Sequence, residues 1–198
     1  MRTLAACALL ASCCLSGPAA AGGIAVSVKT ETYAISGDSG VALMKAMDRQ
    51  GPRHGFLTRA IAQTRYTVNW TLKWKQAGRA CSLEDARADL SIGYRYPKLA
   101  RKVSPALGRS WTRFLSGVRK HEEMHGRIAR DMVSAADRAV RRVTFKDDPS
   151  CRKAQKEVSK RVAATYATYE ARQRTFDAKE HSAGGTVDRL VEWLIHGK

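Results

Sequence analysis

The sequence predicts an α+β domain in which N-terminal antiparallel strands pack on a helical C-terminal half. Up to about residue 96, apolar residues mostly alternate with polar ones, which is typical of half-buried strands. From residue 104 onward they recur at three- and four-residue spacing, which is typical of amphipathic helices. Because the strands come first and the helices follow, the pattern favours a sheet layer and a helix layer within one domain, residues 22–198.

The first predicted elements are a strand and a short helix. The alternation begins at Ile24 and reaches Ile35. Asp38 can cap a helix that carries Val41, Met44 and Met47, and Gly51-Pro52 would end it.

The clearest strand pattern covers residues 65–75. One face would carry Tyr66, Val68, Trp70, Leu72 and Trp74, and the other Thr67, Asn69, Thr71 and Lys73. The aromatic face could be a ligand platform, but the core face of an antiparallel sheet is the more common role of such a pattern. A further strand is predicted near Leu90, Ile92, Tyr94 and Tyr96, with its end at Pro97.

The back half predicts three helical stretches. Ser104-Pro105 is typical of an N-cap followed by proline, and the helical pattern then continues to about Val143. Asp147-Asp148-Pro149 would break it and start a second helix, whose buried side carries Val158, Val162, Thr165, Tyr166, Tyr169 and Phe176. After the Ser182–Gly185 loop, a final helix carries Val187, Leu190, Val191, Leu194 and Ile195.

Residues 1–21 have the composition of an export signal. Arg2 precedes a short apolar run, and Ala19-Ala20-Ala21 is typical of a cleavage site. The run is too short to span a bilayer, and no later segment is long enough, so we expect a periplasmic or extracellular protein. Leu10-Ala11-Ser12-Cys13 also resembles a lipoprotein box, which would instead leave the protein anchored through Cys13.

Two of the five cysteines, Cys81 and Cys151, lie beyond the predicted signal. In an oxidising compartment this pair predicts a disulfide, although two separate buried thiols are the alternative. Closing a loop of about 70 residues would contribute roughly 4 kcal/mol.

The chain is strongly basic, with 35 Lys and Arg against 18 Asp and Glu and a formal net charge of +17. The basic residues are spread along the chain and form no recognised nucleic-acid module, which argues against a specific nucleic-acid partner. A generally basic, solvated surface is the favoured interpretation. It predicts association with anionic polymers, such as those of the cell envelope, but not with a specific one.

The most specific motif is His121-Glu122-Glu123-Met124-His125, an HExxH sequence. Histidines four residues apart share one helix face, where both imidazoles can bind one zinc ion. Glu122 can then act as the general base on the zinc-activated water. The apolar residues that continue the same helical stripe are Trp111, Phe114, Leu115, Val118, Ile128, Ala129 and Met132.

A hydrolytic zinc needs a third protein ligand. His181 is the leading candidate because it ends the second long helix beside a glycine turn, and a chain reversal near Pro149 would return it to His125. Asp177, one turn earlier, could orient that imidazole or replace it as the ligand. Asp131 and Glu180 are weaker alternatives.

The chain resembles a bacterial family of predicted secreted zinc-dependent proteases that is catalogued as a domain of unknown function. The features that carry this resemblance are Tyr33–Gly37, Gly51-Pro52, Tyr66–Trp70, Cys81, Trp111 with Phe114 ahead of the HExxH motif, Cys151, and Asp177–His181. The resemblance implies a signal peptide, one metalloprotease-like domain, paired cysteines, the ligands His121 and His125, and Glu122 as base. The family's late motif usually has Tyr-Asp, then Thr, then His-Gly, whereas this chain has Phe176-Asp177 and His181-Ser182 without that Thr.

The expected function is therefore that of a secreted zinc metallopeptidase acting on peptides or proteins. Two alternatives stay open: a non-enzymatic basic protein that binds the envelope, and an amidase that uses the same site on peptidoglycan stem peptides. The transition-state oxyanion needs a donor, for which Tyr166, Tyr169 or a loop arginine is available.

Overall fold

The computed structural model describes residues 23–54 and 58–197. The predicted signal at 1–21 and the Cys13 lipoprotein alternative lie outside the described residues. The elements in chain order are β1 (Ile24–Ile35), α1 (Gly40–Gln50), β2 (Arg53–His54), β3 (Thr58–Arg59), β4 (Gln63–Ala77), β5 (Ala80–Leu99), α2 (Pro105–Val140), β6 (Thr144–Phe145), α3 (Arg152–Glu180) and α4 (Thr186–His196).

The main sheet has the order β1-β5-β4, and β6 pairs with the start of β5. The α+β class is confirmed, but the sheet is mixed: β4 and β6 run antiparallel to β5, whereas β1 runs parallel to it. This differs from the antiparallel arrangement expected for β1. The reason is the long connection through α1 and the β2–β3 hairpin, which lets the chain cross to the far side of β5. Alternation of apolar residues sets which face is buried and carries no information about strand direction.

The long strands follow the predicted alternation. Along β4 the aromatic positions are half-buried and the positions between them exposed, and Trp70 Nε1 donates a 2.8 Å hydrogen bond to the hydroxyl of Tyr166 on α3. The aromatic face is therefore the core face. On β5 the predicted apolar residues are buried, and the strand continues past Pro97 to Leu99.

The helices begin close to the predicted signals. Ser104 accepts a 3.3 Å hydrogen bond from the backbone N–H of Leu107 and caps α2, which ends at Val140, slightly earlier than expected. The cap of α1 is Ser39 rather than Asp38. At the start of α3, Asp148 accepts a 2.8 Å hydrogen bond from the N–H of Ala154. Within the described ranges, no helix is long and apolar enough to cross a membrane.

α2 and α3 are antiparallel neighbours, as the predicted chain reversal requires. Contacts from Ala139 to Arg161 and from His125 to Gln173 run in opposite directions along the two helices. A disulfide joins Cys81 on β5 to Cys151 at the start of α3, with 5.3 Å between the Cα atoms. The disulfide thus fixes α3 to the sheet. Both cysteines belong to a small apolar cluster that also includes Val140, Val143 and Val158.

Candidate metal centre

The centre of the site is the HExxH turn of α2. His121 and Glu122 are buried, with 8% and 7% of their surface exposed, so they continue the apolar stripe as predicted. The Nε2 atoms of His121 and His125 lie 3.2 Å apart. The imidazoles of two successive helical turns therefore each direct their Nε2 atom toward the same point.

Asp177 on α3 completes this cluster. Its Oδ1 lies 2.9 Å from His125 Nε2 and 3.3 Å from His121 Nε2. Burial alone would raise the pKa of Asp177, but hydrogen bonds from His121 and His125 outweigh it and hold the pKa well below its usual range. The carboxylate is therefore ionised at neutral pH and adds a negative charge to the two imidazoles.

His181 lies beside His121. The two rings are perpendicular, with centroids 5.2 Å apart, and ligand atoms of His121, Asp177 and His181 lie within 4.8 Å of one another. Burial and the neighbouring His121 lower the pKa of His181. This His-Asp-His group could hold a metal ion.

Two residues of α3 support the imidazoles. Phe176 stacks on His121 with ring centroids 4.9 Å apart. Gln173 donates from Nε2 to the backbone oxygen of His125 at 3.1 Å, so its Oε1 faces His125 Nδ1 at 2.6 Å. An amide oxygen only accepts, so Nδ1 carries a proton in either charge state of the ring. Nε2 faces the cluster: it donates to Asp177 when the ring is charged, and it can bind a metal ion when the ring is neutral. Burial alone would lower the pKa of His125, but hydrogen bonds with Asp177 and Gln173 raise it.

Glu122 contacts the sheet rather than the histidine cluster. The Thr64 hydroxyl on β4 lies 2.6 Å from Glu122 Oε2 and 3.0 Å from the Glu122 backbone oxygen. The short contact with the carboxylate is a charge-assisted hydrogen bond, which is stronger than one to a neutral carbonyl. One carboxylate oxygen is thereby held by the sheet.

The cluster opens into a cleft of about 830 Å³. The lining residues come from the segment 59–66, from α2 and α3, and from Met44 and Asp48 of α1 and Val187 of α4. Apolar side chains from three helices and from the loop before β4 line the cleft together with the metal-site residues: Met44, Val118, Val187 and Ile61. A concave, largely apolar space with a few convergent polar groups is typical of a ligand site.

The structure brings together the predicted His121, Glu122, His125, Asp177 and His181. Glu180 is peripheral, with Oε2 3.8 Å from His121 Nδ1, and this buried nitrogen has no hydrogen-bond partner among the described residues. Asp131 forms an exposed ion pair with Arg172 instead.

Sequence reasoning missed Thr64 and Gln173. Gln173 is one turn before Asp177, so the one-turn spacing that led from His181 to Asp177 could also have indicated Gln173. Thr64 offered no comparable signal, because its contact with Glu122 spans 58 positions of the chain. The hydroxyl of Tyr166, a predicted oxyanion donor, accepts a hydrogen bond from Trp70 Nε1, which leaves its own proton available.

Comparison with protein families matches residues 30–185 to a family described as a bacterial protein of unknown function, DUF922. The chain belongs to this family. The DUF922 segment runs from within β1 to the turn before α4. It therefore contains the disulfide pair, Cys81 and Cys151, and every residue of the histidine cluster. No curated protein and no solved structure matches the chain. The DUF922 description assigns no activity.

Proposed function

We propose that this protein is an exported zinc-dependent metallopeptidase. The observation that carries the proposal is the triangle formed by His121 Nε2, His125 Nε2 and Asp177 Oδ1, with edges of 3.2, 2.9 and 3.3 Å. Ligand atoms at about 2.0–2.1 Å from a tetrahedral zinc ion are about 3.3 Å apart. The three atoms therefore fit three corners of a zinc site and leave the fourth free.

The donor set also suits zinc. Two neutral imidazoles and one carboxylate are a known catalytic zinc combination, because zinc accepts nitrogen and oxygen ligands and a hydrolytic site keeps one position open. Asp177 contacts both HExxH nitrogens, which favours it over His181 as the third ligand. His181 then lies at the margin of the site. When bound, zinc would lower the pKa of a water molecule to about 7 and polarise the scissile carbonyl.

The role proposed for Glu122 is that of the general base. It would take a proton from the attacking water and pass it to the leaving amine. Thr64 holds Oε2 of this carboxylate, so the other oxygen is free to face the water. Gln173 holds the His125 proton on Nδ1 and keeps Nε2 available as a ligand. The cleft in front of these residues is large enough for a segment of peptide.

Export is supported by two features. The N-terminal residues have the composition of a signal peptide, and the Cys81–Cys151 disulfide is of the kind that persists in oxidising compartments.

The test is hydrolysis by the purified, zinc-loaded protein. An unfolded protein and purified cell wall would be offered as separate substrates, because the second detects amidase action on stem peptides by the same site. Glu122→Gln should lower turnover by at least about a hundredfold while zinc content, measured by mass spectrometry, stays at the parent level. Glu123→Gln is the matched control, since Glu123 is exposed on the same helix.

The proposal fails if the parent cleaves neither substrate. It also fails if Glu122→Gln retains the parent rate, or if the parent binds no zinc. Binding to the cell wall without any cleavage would instead support the envelope-binding alternative.

A further inference from the structure

Strand β1 is a long, open sheet edge. It pairs with β5 along its whole length of twelve residues without a shift in register, and among the described residues no strand pairs with its other side. Natural edge strands are commonly protected by a proline, a bulge or charged side chains, and β1 has charge only at Lys29 and Glu31. The sequence Ile24–Ile35 has no proline, and its register has no bulge.

The core-facing side of this edge is apolar and uncovered. Val26 and Val28 pair with Leu90 and Ile92, which are almost fully buried, so the valines lie on the same face of the sheet. Yet Val26 is 43% exposed and Val28 51% exposed. The helical layer therefore leaves the first part of β1 uncovered, although Tyr33 and Ile35 near its end are buried. Two neighbouring valines on one face of an edge strand are left about half exposed.

The charges on β1 are arranged for self-pairing. The only charged residues of the strand are Lys29 and Glu31, which flank Thr30 and are joined by a 2.7 Å ion pair. In an antiparallel pair of two β1 strands with the twofold axis through Thr30, each Lys29 lies opposite the second copy's Glu31. Val28 then faces Thr32 and Val26 faces Ala34. An axis through Lys29 or Glu31 would instead place like charges opposite each other, which is destabilising.

The local charge also permits a second copy to approach. Residues 23–44 carry one lysine against Glu31 and Asp38, although the whole chain has a net charge of +17. Repulsion between the basic parts of two molecules is screened beyond about 8 Å at physiological ionic strength. We propose that β1 is a self-association edge, through which two copies of this chain join their four-stranded sheets into one continuous eight-stranded sheet.

Sedimentation of the purified protein over a range of concentrations measures its association state. Variants that change the charge pattern of β1 then test the proposed pairing. The parent should pass from monomer to dimer. Lys29→Glu and Glu31→Lys should each raise the dimer dissociation constant by about tenfold, because each turns two attractive pairs into two repulsive ones. The double variant should restore parent association. An equimolar mixture of the two single variants should also dimerise, since it pairs an all-negative strand with an all-positive one.

Val28→Asp should prevent association without unfolding the protein, since Val28 is half exposed, and circular dichroism checks the fold. A parent that stays monomeric at every concentration overturns the proposal. So does a mixture of single variants that associates no better than each variant alone. These outcomes do not depend on zinc or on hydrolysis, so the proposal stands or falls separately from the proposed function.

Discussion

At the scale of single residues, Asp177 occupies the position on which the candidate site depends. Its Oδ1 contacts the Nε2 atoms of both HExxH histidines. The ring of His181, in contrast, packs against one of them, His121. Residue spacing within one helix does not predict the contacts of Asp177 or of His181. Each contact joins a histidine of α2 to a residue on α3 or directly after it.

Replacing Asp177 should therefore weaken zinc binding more than replacing His181. Asp177→Ala removes a proposed ligand and its negative charge, and we expect a loss of zinc affinity of at least about a thousandfold. His181→Ala should cost about 10–100-fold, the usual effect of a residue beside the ligands. Competition with a chromogenic chelator measures both affinities. The opposite ranking would assign the third ligand to His181.

Thr64 should affect turnover without affecting zinc. Thr64→Val has a similar shape but removes the hydroxyl that holds Glu122 Oε2, so kcat should fall about 10–100-fold at unchanged zinc content. Thr64→Ser keeps the hydroxyl and serves as the matched control, with most of the parent kcat. Equal rates for the valine and serine variants would show that this hydrogen bond does not position the base.

At the scale of elements, α1 and α4 approach each other closely at Gly40 and Leu194. Gly40 begins α1, and a Cβ atom added there would lie 1.9 Å from the backbone oxygen of Leu194 on α4. Backbone atoms cannot move aside as a flexible side chain can, so this contact requires glycine. Gly108 on α2 is different, since its added Cβ would meet only Val103 Cγ2, at 3.9 Å.

The two glycines predict opposite effects of the same substitution. Gly40→Ala should lower the free energy of unfolding by about 1–3 kcal/mol, because overpacking outweighs the better helix propensity of alanine. Gly108→Ala should raise it by about 0.5–1 kcal/mol, because propensity acts alone there. Urea denaturation measures both changes. A shift of both variants in one direction would contradict the assigned packing of α1 on α4.

At the scale of the whole molecule, the Cys81–Cys151 disulfide connects the sheet to the helical layer across a sequence separation of 70 residues. It holds the start of α3, and Gln173 and Asp177 are carried by that helix. Removing the cross-link therefore acts mainly on the stability of the joined layers.

Replacing both cysteines with alanine should lower the free energy of unfolding by about 4 kcal/mol, because the unfolded chain regains the entropy of an open loop. Reductant should bring the parent to the same thermal midpoint and leave the double variant unchanged. A parent whose midpoint does not respond to full reduction would show that the cross-link contributes nothing to stability.

The sequence by itself determined the α+β class, the approximate bounds of the long elements, the HExxH pair with Glu122, and the cysteine pair. These features depend on residue type and local period, because a side chain's face in a strand or helix repeats every two or about 3.6 residues. The burial of His121 and Glu122 on one stripe with Phe114 and Val118 followed directly from that period.

Only the tertiary structure decided the direction of β1, the contact of Asp177 with both histidines, and the support of Glu122 by Thr64 and of His125 by Gln173. Each of these depends on how two elements distant in sequence are stacked and rotated against each other. Local periodicity places a residue on one face of its helix or strand. It does not determine which other element that face packs against, or which residues of the two elements lie side by side. The geometry of the site depends on that packing, through contacts between α2, α3 and β4.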